Sequence, residues 1–260
     1  MQIDVLTSGI WQTNSTILAH HDQCLVVDPA YFPRELDAIV ARVRELGRAA
    51  AVVFTHGHWD HVMGHAAFPG APVYVSGVLA AAVTRDDPRA AKYLDDARDF
   101  DARWYVPRPS GYHWPTGLRG LGEATQAEIG GVALGTLALP GHSPDGLGLL
   151  ADDVLLVGDY LSPCEIPFID DARAYRATLA RLLELLPGVR RVIPGHGPQL
   201  TADEAIAIAG ADLDYLDRLL AARDLAAALA VPLPRAAEVP GMTDHHRDNC
   251  MKALGAAAAP

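Results

Sequence analysis

Positive charge and cysteine are both scarce in this 260-residue chain. Lys and Arg number 21 against 32 Asp and Glu, a formal net charge of −11. A field of that sign repels phosphate backbones, and no local basic patch offsets it, so nucleic acid is excluded as the main partner. The three cysteines, Cys24, Cys164 and Cys250, are odd in number and far apart, which excludes a disulfide framework. No apolar run reaches the ~18 residues of a transmembrane helix. Residues Met1 to Val5 contain no charged stretch leading into an apolar segment, so no secretory signal is expected and the chain reads as cytoplasmic. What is present is ordinary globular composition: half the residues are hydrophobic and a fifth charged. A chain of this length buries roughly three quarters of its unfolded surface and needs no covalent staples.

The first segments read as short strands, at Ile3–Leu6, Ser15–Ala19 and Cys24–Val27, the last two joined by a polar turn at 20–23. Leu36, Ile39, Val40, Val43 and Leu46 recur at helical spacing, and Gly47 closes that helix. A buried strand at 50–54 runs into His56-Gly57-His58-Trp59-Asp60-His61, followed by a short helix and a strand at 72–75. Residues 84–120 show no clear period and carry Tyr93, Trp104, Tyr105, Tyr112, His113 and Trp114, so they read as an irregular insertion. Strands follow at 132–139, 147–150 and 154–157, then a helix at 172–186 and a strand at 191–193. The Ala/Leu-rich segments 202–230 and 244–257 read as helices interrupted by Pro232 and Pro234. Two successive runs of strands and helix predict a layered α/β sandwich. No fixed repeat and no linker divides it.

Five of the eleven histidines fall in three loops, each directly after an expected strand. Four imidazole or carboxylate groups stand within the six residues from His56 to His61. Packed in a core without a metal they would lack partners, at considerable cost. These are the borderline-to-hard ligands that suit Zn²⁺, Mn²⁺ and Fe²⁺. Gly141-His142-Ser143, Gly158-Asp159-Tyr160 and Gly195-His196-Gly197 each set one further ligand type beside glycine, where the backbone turns tightly.

This ordered set resembles the metallo-β-lactamase superfamily, over residues 2 to 200. The resemblance implies a four-layer αββα sandwich with a helical C-terminal extension: a metallo-β-lactamase domain over 1–200 and a helical region over 201–260 packed on it. It also implies two divalent metal ions, zinc first, with Fe²⁺ or Mn²⁺ as alternatives. His56, His58 and His142 would hold one, Asp60, His61 and His196 the other, with Asp159 bridging. Such a pair shares a water whose pKa falls from 15.7 toward about 7, giving a hydroxide that attacks a carbonyl or phosphorus. Asp60 would also orient that hydroxide and take up its proton. Asp159, where one group of β-lactamases has a cysteine ligand, is similar to the glyoxalase II type; Cys164 lies five residues too late to replace it. The diiron redox members usually have a glutamate where this chain has His58, together with a flavin domain. Nuclease members need an inserted domain or a basic arm to hold RNA.

The remaining residues admit two readings each. Asp28 either braces the metal loop or ends a turn before Pro29. His65 reads as an ordinary half-exposed histidine rather than a site residue. Tyr160 either donates to a substrate oxygen or packs under the sheets, and Ser143 braces its own loop. Trp59, between ligands, is expected at the cleft mouth as an apolar substrate wall. The aromatics of 84–120 form either a lid or a cluster packing the insertion on the body, the second being favoured. Residues 243–249 are expected to open a helix with a Thr or Asp cap. In glyoxalase II-like enzymes that region grips glutathione carboxylates; Arg247 and Lys252 are candidates, though their spacing does not reproduce the basic cluster and a structural helix is the plainer reading. A third metal site at His245-His246 is not expected, because adjacent helical side chains diverge. The sequence therefore predicts a dinuclear metallo-hydrolase acting on a small-molecule ester, foremost a thioester such as a glutathione conjugate. A lactonase or phosphodiesterase with the same site, and a non-catalytic metal-binding or signalling protein, are the alternatives. The Ala/Leu-rich helices either complete the sandwich or bury a homodimer face.

Overall fold

A hairpin of apolar, β-branched residues starts the chain: β1 (Gln2–Thr7) pairs antiparallel with β2 (Asn14–His20), which pairs antiparallel with β3 (Gln23–Val27). The computed structural model describes residues 1–29, 31–235 and 241–255. It divides into two compact units, residues 1–138 with 147–152, and residues 139–146 with 153 onward.

In the first unit, helix α1 (Pro33–Leu46) carries the chain from β3 to the parallel strand β4 (Arg48–Val53). Proline occupies its first turn, where no donor is lost, and Ile39 and Val43 form its buried stripe. Gly47 ends it at φ 151°, and a side chain there would meet the Asp22 carbonyl at 2.2 Å. Two more parallel strands, β5 (Val73–Ser76) and β6 (Arg119–Leu121), complete a six-stranded sheet in the order β1 to β6. Between β4 and β5 lies a four-residue helix, α2 (Trp59–Val62), followed by a 3₁₀ turn at Met63–Ala67. The unit's core gathers Ile17, Val26, Ile39, Val52, Phe54 and Leu79. Three antiparallel strands, β7 (Gln126–Ile129), β8 (Val132–Ala138) and β9 (Leu147–Ala151), belong to the same unit.

The stretch 84–120 departs from the irregular insertion expected of it. After α3 (Gly77–Thr84), nearly half of it is helix α4 (Pro88–Trp104), capped by the Asp87 carboxylate on the Arg89 N–H. Its buried stripe is Ala90, Tyr93, Ala97 and Asp101. Two alanines and an aspartate do not register as an apolar period, which is why the helix is hidden in the sequence. Asp101 is buried because it has partners: Arg108 Nε at 2.6 Å, the Tyr31 hydroxyl at 2.6 Å and the Tyr112 hydroxyl at 2.9 Å. Arg108 also lies over the Tyr31 ring, 4.1 Å from its centroid. Tyr112 and Trp114 pack on the unit's core, and the Trp114 indole donates to the Ala90 carbonyl at 3.1 Å. These aromatics hold the segment down. Tyr105, 92% exposed in a left-handed turn, does not take part.

In the second unit, β10 (Val154–Leu156) pairs parallel with β11 (Arg191–Ile193), and β11 pairs antiparallel with β12 (Leu200–Thr201). Helix α5 (Ala172–Leu185) opens on Asp171, whose carboxylate accepts from two backbone N–H groups. A capping box of Thr201 and Glu204 starts α6 (Ala202–Ala221). The helical segment expected over 202–230 is interrupted at 222–224, where Asp224 caps a new short helix, α7 (Leu225–Leu229). The last helix, α8 (Met242–Ala253), follows Gly241 at φ 89° with no side-chain cap, in place of the Thr or Asp cap expected. No helix among the described residues is long and apolar enough to cross a membrane.

A candidate metal centre built from two loop clusters

In the first unit the buried run of β4 ends at Phe54, and the next residues turn out of the sheet toward α2. Asp28, just past the neighbouring strand β3, is buried at φ 47° and fixes that exit. One of its oxygens accepts the Thr55 N–H at 2.7 Å; the other accepts the Thr55 hydroxyl at 2.6 Å and faces His61 Nδ1 at 3.1 Å. A carboxylate only accepts, so His61 carries its proton on Nδ1 and leaves its Nε2 lone pair to act as a ligand. The same logic continues one residue on. The Thr55 hydroxyl proton goes to Asp28, so its 3.1 Å contact with His56 Nδ1 must be accepted by Thr55. His56 therefore also presents an Nε2 lone pair. That Nε2 stands 3.1 Å from His58 Nδ1, and Asp60 Oδ2 stands 3.5 Å from His61 Nε2. His56 and His61 are buried, whereas His58 and Asp60 are half-buried.

In the second unit three donors converge on one another. His142 Nδ1 donates to the Phe168 carbonyl at 2.9 Å, which again assigns the lone pair to Nε2. That nitrogen lies 3.2 Å from Asp159 Oδ2, and His196 Nε2 lies 3.4 Å from the same oxygen. Glycine makes this possible. A Cβ on Gly195 would fall 2.1 Å from Asp159 Oδ1, and one on Gly141 would strike the Tyr175 backbone at 2.2 Å. Lone pairs facing lone pairs and carboxylates repel unless a proton or a cation lies between them. The donor set, imidazole nitrogens pre-oriented by backbone and carboxylate acceptors, fits divalent metal ions.

Other expected residues fall differently. Tyr160 is 2% exposed; its hydroxyl donates to the Pro140 carbonyl at 2.7 Å and accepts the His142 N–H at 3.2 Å. Burial pushes its phenol well above the usual range. It holds the His142 turn rather than offering a donor to substrate. Asp28 ends its strand and braces the loop at once. Trp59 is half-buried in an aromatic cluster, stacked on Phe100 at 4.6 Å and edge-on to Trp11 and Tyr31 at 5.3 and 4.7 Å. Arg247 and Lys252 lie exposed on α8. His65 Nδ1 meets the Val62 carbonyl at 3.2 Å and its ring stands beside His113. Sequence reading missed Thr55 and the Phe168 carbonyl. The first is a single hydroxyl beside more conspicuous histidines, and the second is a backbone atom with no residue signature.

The model of the metallo-β-lactamase superfamily matches residues 8–196, a span holding all seven candidate donors. The chain belongs to this superfamily. Its fold is the superfamily's α/β fold of two mixed sheets and helices, the sandwich class that the sequence predicts. Members are generally hydrolytic metalloenzymes. Among solved structures, TTHA1623 in a di-iron-bound form is 27% identical, with a TM-score of 0.59 over 77% of this chain and 96% of that one. The metallo-β-lactamase family protein TTHA1429 of Thermus thermophilus superposes at 0.68 with 20% identity over 97% and 93%. ETHE1 from Myxococcus xanthus superposes at 0.58 with 18% identity over 99% and 100%. No curated protein matches the chain.

Proposed function

We propose that this protein is a dinuclear metal-dependent hydrolase of small-molecule esters, with thioesters such as glutathione conjugates as the substrate class. The observation that carries the reading is the Asp159 carboxylate oxygen, faced by His142 Nε2 at 3.2 Å and by His196 Nε2 at 3.4 Å. A carboxylate set between two such imidazoles could serve both metal positions. As the resemblance to the superfamily implies, His56, His58 and His142 would hold one ion and Asp60, His61 and His196 the other, with Asp159 shared. The donors suit zinc first and accept Fe²⁺ or Mn²⁺ as well; the di-iron form of TTHA1623 supports the latitude.

Two divalent ions held there would supply a nucleophile at neutral pH and positive charge for an oxyanion on the substrate. The protein's own groups do the rest. Asp28, Thr55 and the Phe168 carbonyl keep the imidazoles aimed, each with its Nε2 lone pair free to act as a ligand. Asp60, half-buried and acceptor-only, is the carboxylate that takes the proton of the attacking water. Trp59, with Trp11 and Phe100 against it, offers an apolar wall for the acyl group. No protein nucleophile is required. The thioester assignment rests on an aspartate at position 159, the feature that makes the site resemble glyoxalase II.

The test is hydrolysis of S-lactoylglutathione by metal-loaded protein. A kcat/KM above about 10⁴ M⁻¹s⁻¹ is expected, the lower edge for dedicated enzymes. Negligible turnover with two metals bound would contradict the thioester assignment and move the search to lactones and phosphodiesters.

A further inference from the structure

The part of the chain beyond the superfamily match, from residue 197 onward, reaches back to the loop between β10 and α5. Asn249 on α8 is 2% exposed, and its side-chain amide is fully engaged. Its Nδ2 donates to the Pro167 carbonyl at 2.6 Å and lies 3.3 Å from the Tyr215 hydroxyl, while its Oδ1 accepts the Ile169 N–H at 3.2 Å. The two peptide groups it grips flank Phe168, whose carbonyl orients His142. The His245 ring lies on the Phe168 ring at 4.0 Å between centroids, so the same helix holds the residue by backbone and by side chain. Tyr215, the third partner of the amide, is itself fixed by His246 Nδ1 at 2.8 Å. Further back along the loop, Arg235 Nε donates to the Ser162 and Glu165 carbonyls at 3.1 and 2.7 Å, and Asp212 holds that guanidinium at 2.6 and 2.9 Å.

We infer that Asn249 is a positioning residue for the metal ligand His142, acting through the Phe168 carbonyl. An amide carries donor and acceptor on separate atoms, so it can give a proton to the carbonyl before Phe168 and take one from the N–H after it at the same time. A carboxylate lacks the donor, and an aliphatic chain lacks both. Once the two flanking peptides are held, the Phe168 carbonyl has one direction. The His142 imidazole follows it, with its proton on Nδ1 and its lone pair on the ligand side. The C-terminal helix thereby belongs to the metal centre without contributing a ligand. Loss of a group that hydrogen-bonds a metal ligand directly typically costs 10–100-fold in metal affinity, and Asn249 fixes such a group.

The inference rests on the metal-centre reading of His142, and its test separates the two. Zn²⁺ affinity of the full chain is measured by competition with a chromophoric chelator, for wild type, Asn249→Asp, His142→Ala and the double variant. The expected result is a fall of tenfold or more for Asn249→Asp that disappears in the His142→Ala background, because both changes disable one ligand. Equal affinity of wild type and Asn249→Asp, or the same fall in both backgrounds, would overturn the inference and leave the metal centre standing. If His142→Ala binds zinc as wild type does, the metal-centre reading fails and the inference with it. Should Asn249→Asp not fold, Tyr215→Phe, which removes one partner of the amide at nearly constant volume, carries the same comparison. It is expected to show a smaller fall that again vanishes without His142.

Discussion

Gly195 shows how narrowly single residues fix this site. The absence of a side chain there leaves room for the Asp159 carboxylate, whose Oδ1 would lie 2.1 Å from a Cβ. Gly195→Ala should therefore push Asp159 off its place between His142 and His196. The expected outcome is loss of metal binding in a protein that still folds, read by bound-metal analysis alongside circular dichroism. His65 makes a different kind of prediction. Burial lowers its pKa below the ordinary imidazole value of 6.5, and its Nε2 has no hydrogen-bond partner among the described residues. A depressed imidazole favours the folded state while neutral. Its contribution is thus present above pH 6.5 and is lost as pH falls through the folded-state value. His65→Gln should flatten the decline of thermal stability between pH 7.5 and 5.5 relative to wild type. Parallel curves for the two proteins would refute the assignment. At this scale the candidate donors are legible because four of them crowd into six residues and the others each sit beside glycine. The atoms that aim them are not: Thr55 is one hydroxyl among many, and a backbone carbonyl such as that of Phe168 leaves no mark in the sequence.

Among the elements, α4 carries the clearest lesson. A helix whose buried stripe is Ala90, Tyr93, Ala97 and Asp101 has no apolar period to detect, and its one charged core residue is satisfied only by Arg108, Tyr31 and Tyr112. These lie far from it in sequence or beyond the helix end. Helix α1 was legible because its burial falls on Ile39 and Val43 at helical spacing, and strands β2 and β4 because they carry the short apolar runs Ile17–Ala19 and Ala51–Val53. The Asp101–Arg108 pair is buried on both sides, with side-chain exposures of 1% and 4%. Asp101→Ala should cost about 3–5 kcal/mol, the usual consequence of leaving one buried charge uncompensated, measured by urea unfolding. Replacing both partners with apolar residues of similar volume should restore part of that loss. A single-variant cost below about 1 kcal/mol would mean the pair is not what fastens α4.

For the molecule as a whole, fold and chemistry were legible to different depths. The order of strands and helices, together with the spaced histidines and aspartates, was enough to place the chain in its superfamily, because metal ligands must occur in a fixed order along the sheets' loops. The role of the region 201–260 was not, since α8 acts on the centre through backbone groups 80 residues upstream, and nothing in Asn249 alone announces it. Substrate choice is equally hidden, resting on surfaces such as the Trp11–Trp59–Phe100 cluster that recruit residues from separate segments. In the proposed reaction, hydrolysis needs two metal ions held by these seven donors. The most direct measurement is a titration of metal-free protein with Zn²⁺, following bound metal and thioester turnover together. Turnover should be absent after exhaustive chelation and should rise to its maximum as two ions bind per chain. Full turnover in the metal-free protein, or a maximum reached at one ion per chain, would contradict it.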